Sequence, residues 1–314
     1  MQTVALVLRP GFQMMSLAAL SAFEFANLVA GEPLYQIRVL SEHGGLVPSS
    51  LAAGIDTEQL ARADFDTVLI SGSMDRTPAP ERIRAFLVQA AQQARRVGAL
   101  CVGAFALAEA QLLDGRRATV HWQRAAEMRR RFPAIRLEED RIFIVDGPIW
   151  TSAGMSAALD LTIAMVEKDF GAKLARSVAQ RLVLYHRRAG GQSQHSALLE
   201  LNATSDRMQQ ALDYARQNLK RDLSVEQLAD TVHLSARQFS RAFSLETGST
   251  PAKAVENLRL EAARLMLEQG RHSVEMVAAE TGFGDRDRMR RAFLRVYGQS
   301  PQSLRRDCAA GVKA

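Results

Sequence analysis

Cys101 stands where a run of small and apolar residues turns straight from a strand pattern into a helix pattern, in Val97-Gly98-Ala99-Leu100-Cys101-Val102-Gly103-Ala104-Phe105. That is the layout of a nucleophile elbow, in which the helix start lowers a thiol pKa and its backbone N–H groups stabilise an oxyanion. Ser71-Gly72-Ser73, after an earlier strand pattern, can place further N–H groups beside it, and His121 in Ala118-Thr119-Val120-His121-Trp122 is the nearest candidate base. The same residues also fit a plainer reading. A cysteine between Leu100 and Val102 is a small buried hydrophobe as readily as a nucleophile, and one histidine 20 residues away makes no dyad.

A second set of residues points to a different chemistry. Ser224-Val225-Glu226 and Ala229 recur 49 residues later as Ser273-Val274-Glu275 and Ala278. Arg241-Ala242-Phe243, Gly248 and Pro251 recur 50 residues later as Arg291-Ala292-Phe293, Gly298 and Pro301. The extra residue falls where Leu234-Ser235 faces Phe283-Gly284-Asp285. Each copy reads as a helix–turn–helix. In the first, Arg237, Gln238, Ser240 and Arg241 lie away from Phe239 and Phe243; in the second, Arg286, Asp287, Arg288, Arg291 and Arg295 lie away from Met289 and Phe293. Arginine there can hold a guanine bidentately and Asp287 can accept from a cytosine amino group. The remaining arginines suit phosphates, which set register rather than sequence. Asp287 equally suits a first-turn acid that favours the helix dipole.

The elements needed to position these residues are legible in outline. Short apolar runs at residues 4–8, 35–40, 67–70, 97–100, 142–145 and 149–151 alternate with helical stretches at 14–30, 81–95, 101–112, 155–170 and 172–185. Such alternation predicts an α/β domain with a doubly wound, mostly parallel sheet covered on both faces. Residues 186–205, with Gly190-Gly191 among polar neighbours, read as a linker. Beyond it everything is helical, with Ser224 and Ser235 as N-caps and a long helix from Pro251 to Gln269. The expected division is a sheet domain at 1–185, a linker at 186–205, a helical domain at 206–306 and a tail at 307–314. The long helix would set the two copies about one turn of DNA (~34 Å) apart.

Composition narrows the classes. The 314 residues, 47% hydrophobic, suffice for two ordinary cores without metal or disulfide. Cys101 and Cys308 are the only cysteines, which offers neither a disulfide framework nor a zinc site. The polar residues Ser16, Ser21, Glu24 and Asn27 make 14–30 a buried amphipathic helix rather than a membrane span. The net charge of +6 leans towards an anionic partner. Between residues 286 and 306 seven arginines face the single acid Asp287, unlike the mixed signs of an ordinary solvated helix.

The two halves resemble two known families. Residues 206–306, through Thr281-Gly282-Phe283-Gly284-Asp285, Arg291-Ala292-Phe293 and Tyr297-Gly298-Gln299-Ser300-Pro301, are similar to the AraC/XylS-type DNA-binding domain. Relatives often carry a Ser/His/Phe-type segment where this chain has Arg286-Asp287-Arg288-Met289-Arg290, so atypical base contacts are expected in copy two. Residues 1–185 resemble the ThiJ/PfpI branch of the glutamine amidotransferase-like fold, with Cys101 at the elbow and Thr151-Ser152-Ala153-Gly154 in a loop beside the same pocket. The segment from Leu107 to Thr119 with His121-Trp122 is characteristic of members fused to an AraC-type domain, the GlxA-like transcriptional regulators. In hydrolytic relatives a histidine follows the elbow cysteine and an acid sits early in the first helix. Here Val102 follows Cys101, and the nearest acid is Glu24.

The resemblance therefore implies a regulator whose pocket binds rather than catalyses, with Phe12, Ser71, Gly72, Ser73, Cys101, Val102, His121, Trp122 and Ser152 as ligand-binding residues. It implies no metal and no cofactor, and as partners double-stranded DNA, a small-molecule effector, a second copy of the chain and RNA polymerase, in the cytoplasm. Asn27 to Gly31 and Leu34 to Ser41 are similar to the subgroup that responds to arginine, glycine betaine and carnitine. Trp122, Phe12 and Trp150 could supply an aromatic wall for a cation, although core packing is their ordinary use. The competing reading is a cysteine-dependent amidase or hydrolase with a DNA-binding appendage.

Overall fold

The computed structural model describes residues 1–62, 64–184, 188, 190, 194, 203–268, 272–297 and 299–306. The expected helix ends at Tyr185 and Gln269, the stop at Gly298, Cys308, the tail and most of the linker lie outside these residues. The chain divides into two compact units, Met1–Gln194 and His195–Ala314.

The first unit is built on a sheet ordered β3-β4-β2-β1-β5-β6-β10-β9. Its strands are β1 (Gln2–Val7), β2 (Tyr35–Ser41), β3 (Gly45–Pro48), β4 (Gly54–Gln59), β5 (Thr67–Ile70), β6 (Arg96–Leu100), β9 (Phe143–Asp146) and β10 (Ile149–Ser152). The inner pairs β4–β2, β2–β1, β1–β5, β5–β6 and β6–β10 are parallel, and antiparallel hairpin strands close both edges. A separate ladder pairs β7 (Arg117–Ala118) with β8 (Arg136–Leu137).

Strand side chains alternate between two cores, as period-2 geometry demands. Ala5 and Val7 of β1 join Val68, Ile70, Val97 and Ala99 under α3 (Glu81–Gln93), α4 (Ala104–Glu109) and α5 (Trp122–Arg131). Val4 and Leu6 join Leu69 and Leu100 under α1 (Met15–Ala18), α2 (Ser21–Ala30) and α6 (Met155–Arg181). Two expected helices are reshaped. Residues 14–30 form α1 and α2 rather than one helix, because Leu20 N–H bonds back to Leu17 and Phe23 N–H to Leu20, a tighter three-residue closure. The helix expected over 101–112 begins as a 3₁₀ turn at Cys101–Gly103 and stops at Glu109, with Gln111 at φ 57°. α6 breaks its helical dihedrals at Gly171 (φ 85°), where two helices had been expected to meet.

At the N-terminal ends of the parallel strands a buried ionic network ties the layers together. Asp169 of α6 accepts from Arg96 Nη1 (3.0 Å), Arg95 Nη1 (3.2 Å) and the Tyr35 hydroxyl (2.8 Å), and pairs with Arg96 Nη2. Arg96 Nε donates to Thr67 Oγ1 at 2.8 Å. The Asp169 and Arg96 side chains are 1% and 4% exposed. Burial alone would raise the Asp169 pKa, but hydrogen bonding and charge from Arg96 outweigh it and hold the carboxyl below its ordinary range.

In the second unit, α7 (Asp206–Gln217), α8 (Val225–Asp230) and α9 (Ala236–Thr247) pack with Ala254, Val255 and Leu258 of the long helix α10 (Pro251–Glu268). α11 (Val274–Glu280) and α12 (Arg286–Tyr297) pack with Leu260, Ala263 and Leu267 of the same helix. Ser224 and Ser235 form reciprocal capping boxes with Gln227 and Gln238, and Ser273 caps α11. The offset of the repeat has a structural cause. His233 (φ 56°) and Gly282 (φ 75°) are the matching left-handed residues after α8 and α11, and copy two adds Gly284 (φ 80°) before its cap.

The ionic network yields a signed expectation. Asp169→Ala leaves Arg96 buried without its counter-ion and is expected to destabilise the sheet unit by about 3–5 kcal/mol at neutral pH, read by urea unfolding. Because the folded pKa is depressed, this contribution is complete above the unfolded carboxyl value of about 3.9 and fades as pH falls through the lower folded value. The variant and the parent should therefore converge in acid.

Candidate functional site

Each strand of the β1-β5-β6-β10 series ends at the same carboxyl edge of the sheet, where ligands of open α/β sheets bind. The predicted pocket residues follow those ends. Cys101, 4% exposed, holds φ 56°, the left-handed strain expected of an elbow. A Cβ on Gly103 would stand 2.5 Å from Ile70 O, and one on Gly72 would stand 2.7 Å from Val102 Cγ2, so both approaches require glycine. Ser71 is buried beside this turn, and its hydroxyl has no hydrogen-bond partner. Ser73 Oγ donates to Pro10 O (2.7 Å) and accepts from Asp75 N–H (3.1 Å), while Ser152 Oγ reaches Ala99 O at 3.4 Å.

Burial pushes the Cys101 thiol up to about 11, against smaller opposing effects of the Val102 backbone and the Arg124 charge. The helix start expected to lower this pKa is only a three-residue 3₁₀ turn, and desolvation wins. His121, half-buried, N-caps α5 by accepting from Gln123 N–H at Nδ1 (3.3 Å). Burial lowers its pKa, favouring the neutral ring. Among the described residues no hydrogen bond or ion pair joins His121 to Cys101. Glu24, the nearest acid in sequence, is exposed on α2.

The aromatic wall does not assemble. Phe12 is fully buried among Leu8, Ala19 and Phe23, and Trp150 lies in the same core with Arg96 at 5.6 Å and Lys168 at 5.4 Å from its ring. Trp122 alone of the three is accessible, 49% exposed and stacked near His121 with centroids 5.8 Å apart. One polar neighbour escaped the sequence reading. Arg124, on α5, lies 4.9 Å over the Phe105 ring and bonds Glu127 (2.8 Å) while its charge reaches Cys101. Only a predicted helix over 122–131 would have aimed it there. Among the described residues no cluster of metal-ligand type is present, and no helix is long and apolar enough to cross a membrane.

The predicted DNA-facing residues keep to one side of their helices. Arg237, Gln238, Arg241, Arg286, Asp287, Arg288, Arg291 and Arg295 are exposed and Ser240 is half-buried, whereas Phe239, Phe243, Met289 and Phe293 are buried. Gln238 Oε1 is taken up by its own capping box, accepting from Ser235 N–H (3.2 Å). Arg286 pairs with Glu275 (3.1 Å) and Arg295 with Glu256. No described acid pairs with Arg237, Arg241 or Arg291. Arg288 lies close enough to the buried Arg259 to depress its pKa, though burial of Arg259 is the larger cause.

Comparison with known proteins matches this division. The DJ-1/PfpI family pattern covers residues 27–168 and a helix-turn-helix domain pattern covers 228–307. The regulator GlxA of Rhizobium meliloti is 30% identical over 311 residues, 97% of this chain and 96% of that protein. The regulator GbdR of Pseudomonas aeruginosa is 29% identical over 313 residues, 97% of this chain and 84% of that protein. A crystal structure of an AraC family transcriptional regulator from Pseudomonas putida superposes with a TM-score of 0.54 at 26% identity, over 58% of this chain and all of that one. These matches define an HTH-type transcriptional regulator. The chain belongs to the GlxA-like regulators, in which a DJ-1/PfpI domain precedes an AraC-type helix–turn–helix domain.

The thiol makes a direct test. With Cys308 replaced by serine, Cys101 alkylation by iodoacetamide at pH 7.5 is expected to run at least about tenfold slower than that of an ordinary exposed thiol. The rate should climb towards pH 11 rather than level off near 8.5, as followed by intact-mass spectrometry.

Proposed function

We propose that this regulator reads DNA with Arg237, Ser240 and Arg241 of α9 and with Asp287, Arg288 and Arg291 of α12, and that its sheet domain binds a small metabolite at the carboxyl edge. The observation that carries the DNA assignment is that Arg237, Arg241 and Arg291 are exposed on corresponding helix faces and that no described acid pairs with them. Arg286 and Arg295 act on phosphates instead. Their surface pairs with Glu275 and Glu256 are worth about 0–1 kcal/mol and exchange readily for a phosphate. Gln238 reads bases at most through its amide N–H groups, its oxygen being committed to the cap.

Ser71, Gly72, Ser73, Cys101, Val102, His121 and Trp122 form the effector site in this reading, with Phe12 and Ser152 supporting it from within the core. The Ser71 hydroxyl, buried and unsatisfied, supports a polar ligand at this edge, since such groups ordinarily find a partner. A protonated Cys101 with no base bonded to it supports binding over turnover. The protein works as a cytoplasmic homodimer that recruits or blocks RNA polymerase. The strained elbow is the one feature that favours the alternative, a cysteine-dependent hydrolase.

Arg291→Ala is expected to weaken operator binding by about 1–3 kcal/mol and to relax preference at one base pair, measured by titrating single-base operator variants. Equal weakening on every sequence would make Arg291 a phosphate contact. Cys101→Ala should leave effector-dependent regulation largely intact in a reporter assay, because the thiol lines the site without taking part in chemistry. Loss of a turnover activity with ligand binding preserved would favour the hydrolase.

A further inference from the structure

Gln194 belongs by sequence to the linker, yet its side chain is built into the sheet unit. Its Nε2 lies within hydrogen-bond distance of Val120 O (2.9 Å), Glu139 O (2.6 Å), Arg141 O (3.2 Å) and Thr119 Oγ1 (3.2 Å). Its Oε1 accepts from Trp122 N–H (2.9 Å), and its backbone N–H donates to Asp140 Oδ1 (2.9 Å). A primary amide, donor at one end and acceptor at the other, is the side-chain chemistry that matches three carbonyls facing a helix N–H. Glutamate would turn an acceptor towards those carbonyls, and methionine would supply neither function.

Two other linker residues dock on the same unit. Arg188 bonds Asp160 through its backbone N–H (3.1 Å) and Nε (2.8 Å), and Ser156 through Nη2 (3.0 Å). Gly190 packs so closely on Phe143 that a Cβ would meet Phe143 O at 2.7 Å. The niche is also wired to the effector edge. Gln194 and His121 together cap the first N–H groups of α5, the helix that carries Arg124 to the Cys101 elbow. Thr119 N–H donates to Thr151 Oγ1 (2.9 Å) of β10, beside Ser152.

We propose that the niche formed by Thr119, Val120, Glu139 and Arg141 is a docking site for the chain's own linker, with the Gln194 amide as its ligand, and that undocking transmits effector binding to the DNA-binding domain. The first half stands on the contacts alone; the second rests on the effector site proposed above. A ligand that shifts His121 or Trp122 moves the N-terminus of α5, and with it the groups that hold Gln194. Residues 195–202 then connect the released segment to Ala203 and α7, so the tether of the DNA-binding domain lengthens when the amide leaves.

The full chain tests both halves. In Gln194→Glu and Gln194→Met, hydrogen exchange in the peptide covering residues 121–125 and tryptic cleavage after Arg188 are both expected to quicken by about tenfold. In the generally destabilised Asp169→Ala chain, cleavage should quicken throughout the sheet unit instead. Wild-type exchange and cleavage in both Gln194 variants would overturn the docking. Affinity for a duplex selected from random DNA by the wild-type chain is expected to shift at least about fivefold in both variants, in the same direction. Undocking with unchanged DNA affinity would overturn the transmission while leaving the niche. A defect confined to Arg291→Ala would bear on base reading and not on the latch.

Discussion

The left-handed turn at Cys101 constrains the whole carboxyl edge of the sheet. β6 must reverse into α4 within a few residues, and it does so by holding a non-glycine residue at φ 56°, a strain of roughly 1–2 kcal/mol. The path is admissible only because Gly103 lets Ile70 O approach and Gly72 lets Val102 approach. The segments that follow β5 and β6 therefore lie too close for side chains at those points, and Ser71, Gly72, Ser73, Cys101 and Gly103 are all buried there. Such strain persists where the surroundings over-determine it. The opposite edge supplies part of that rigidity through Asp169, which binds the first residues of β2 and β6 to α6.

The DNA-binding unit solves its own rigidity differently. α10 is shared between two cores, giving Ala254, Val255 and Leu258 to one copy and Leu260, Ala263 and Leu267 to the other. Arg259 sits at the boundary, where it donates to Leu219 O (3.2 Å) and Arg221 O (2.7 Å) and lies against Gly282. A Cβ on Gly282 would come within 1.9 Å of Leu219 O, so the turn of copy two rests directly on the loop that leads into copy one. The two copies therefore meet at Arg259 and Gly282 as well as sharing α10. Glu246 extends the same logic to the entrance of the unit, accepting from Thr204 N–H (3.0 Å) and Ser205 N–H (2.8 Å) on the back of α9.

What is legible in the sequence is local. The repeat, its serine caps, the parallel strands and the elbow each rest on periodicity or on neighbours a few residues apart, and each stands in the structure close to where it is expected. The β3–β4 hairpin escapes because Leu46 is exposed and Gly54 to Gln59 is mostly polar, so neither strand shows an apolar run. α5 escapes for a related reason. Its first N–H groups are capped by His121 and by Gln194, the latter 72 residues downstream, and no Ser, Thr, Asp or Asn marks its start. With α5 unseen, Arg124 could not be placed near Cys101. Phe12 and Trp150, open in the sequence to a cation-binding wall or to ordinary core packing, take the second course, since the sheet buries both.

The hydrogen bonds of Gln194 also bear on how the chain is made. A ribosome that has delivered residues 1–185 has delivered every strand of the sheet, but not the amide that caps α5 or the guanidinium that meets Asp160. The contacts that cap the first N–H of α5 and pair with Asp160 thus become available only after the linker has been synthesised. For the same reason, a fragment cut where the sheet pattern ends would lack the Gln194 and Arg188 contacts, which fall within the first compact unit, Met1–Gln194.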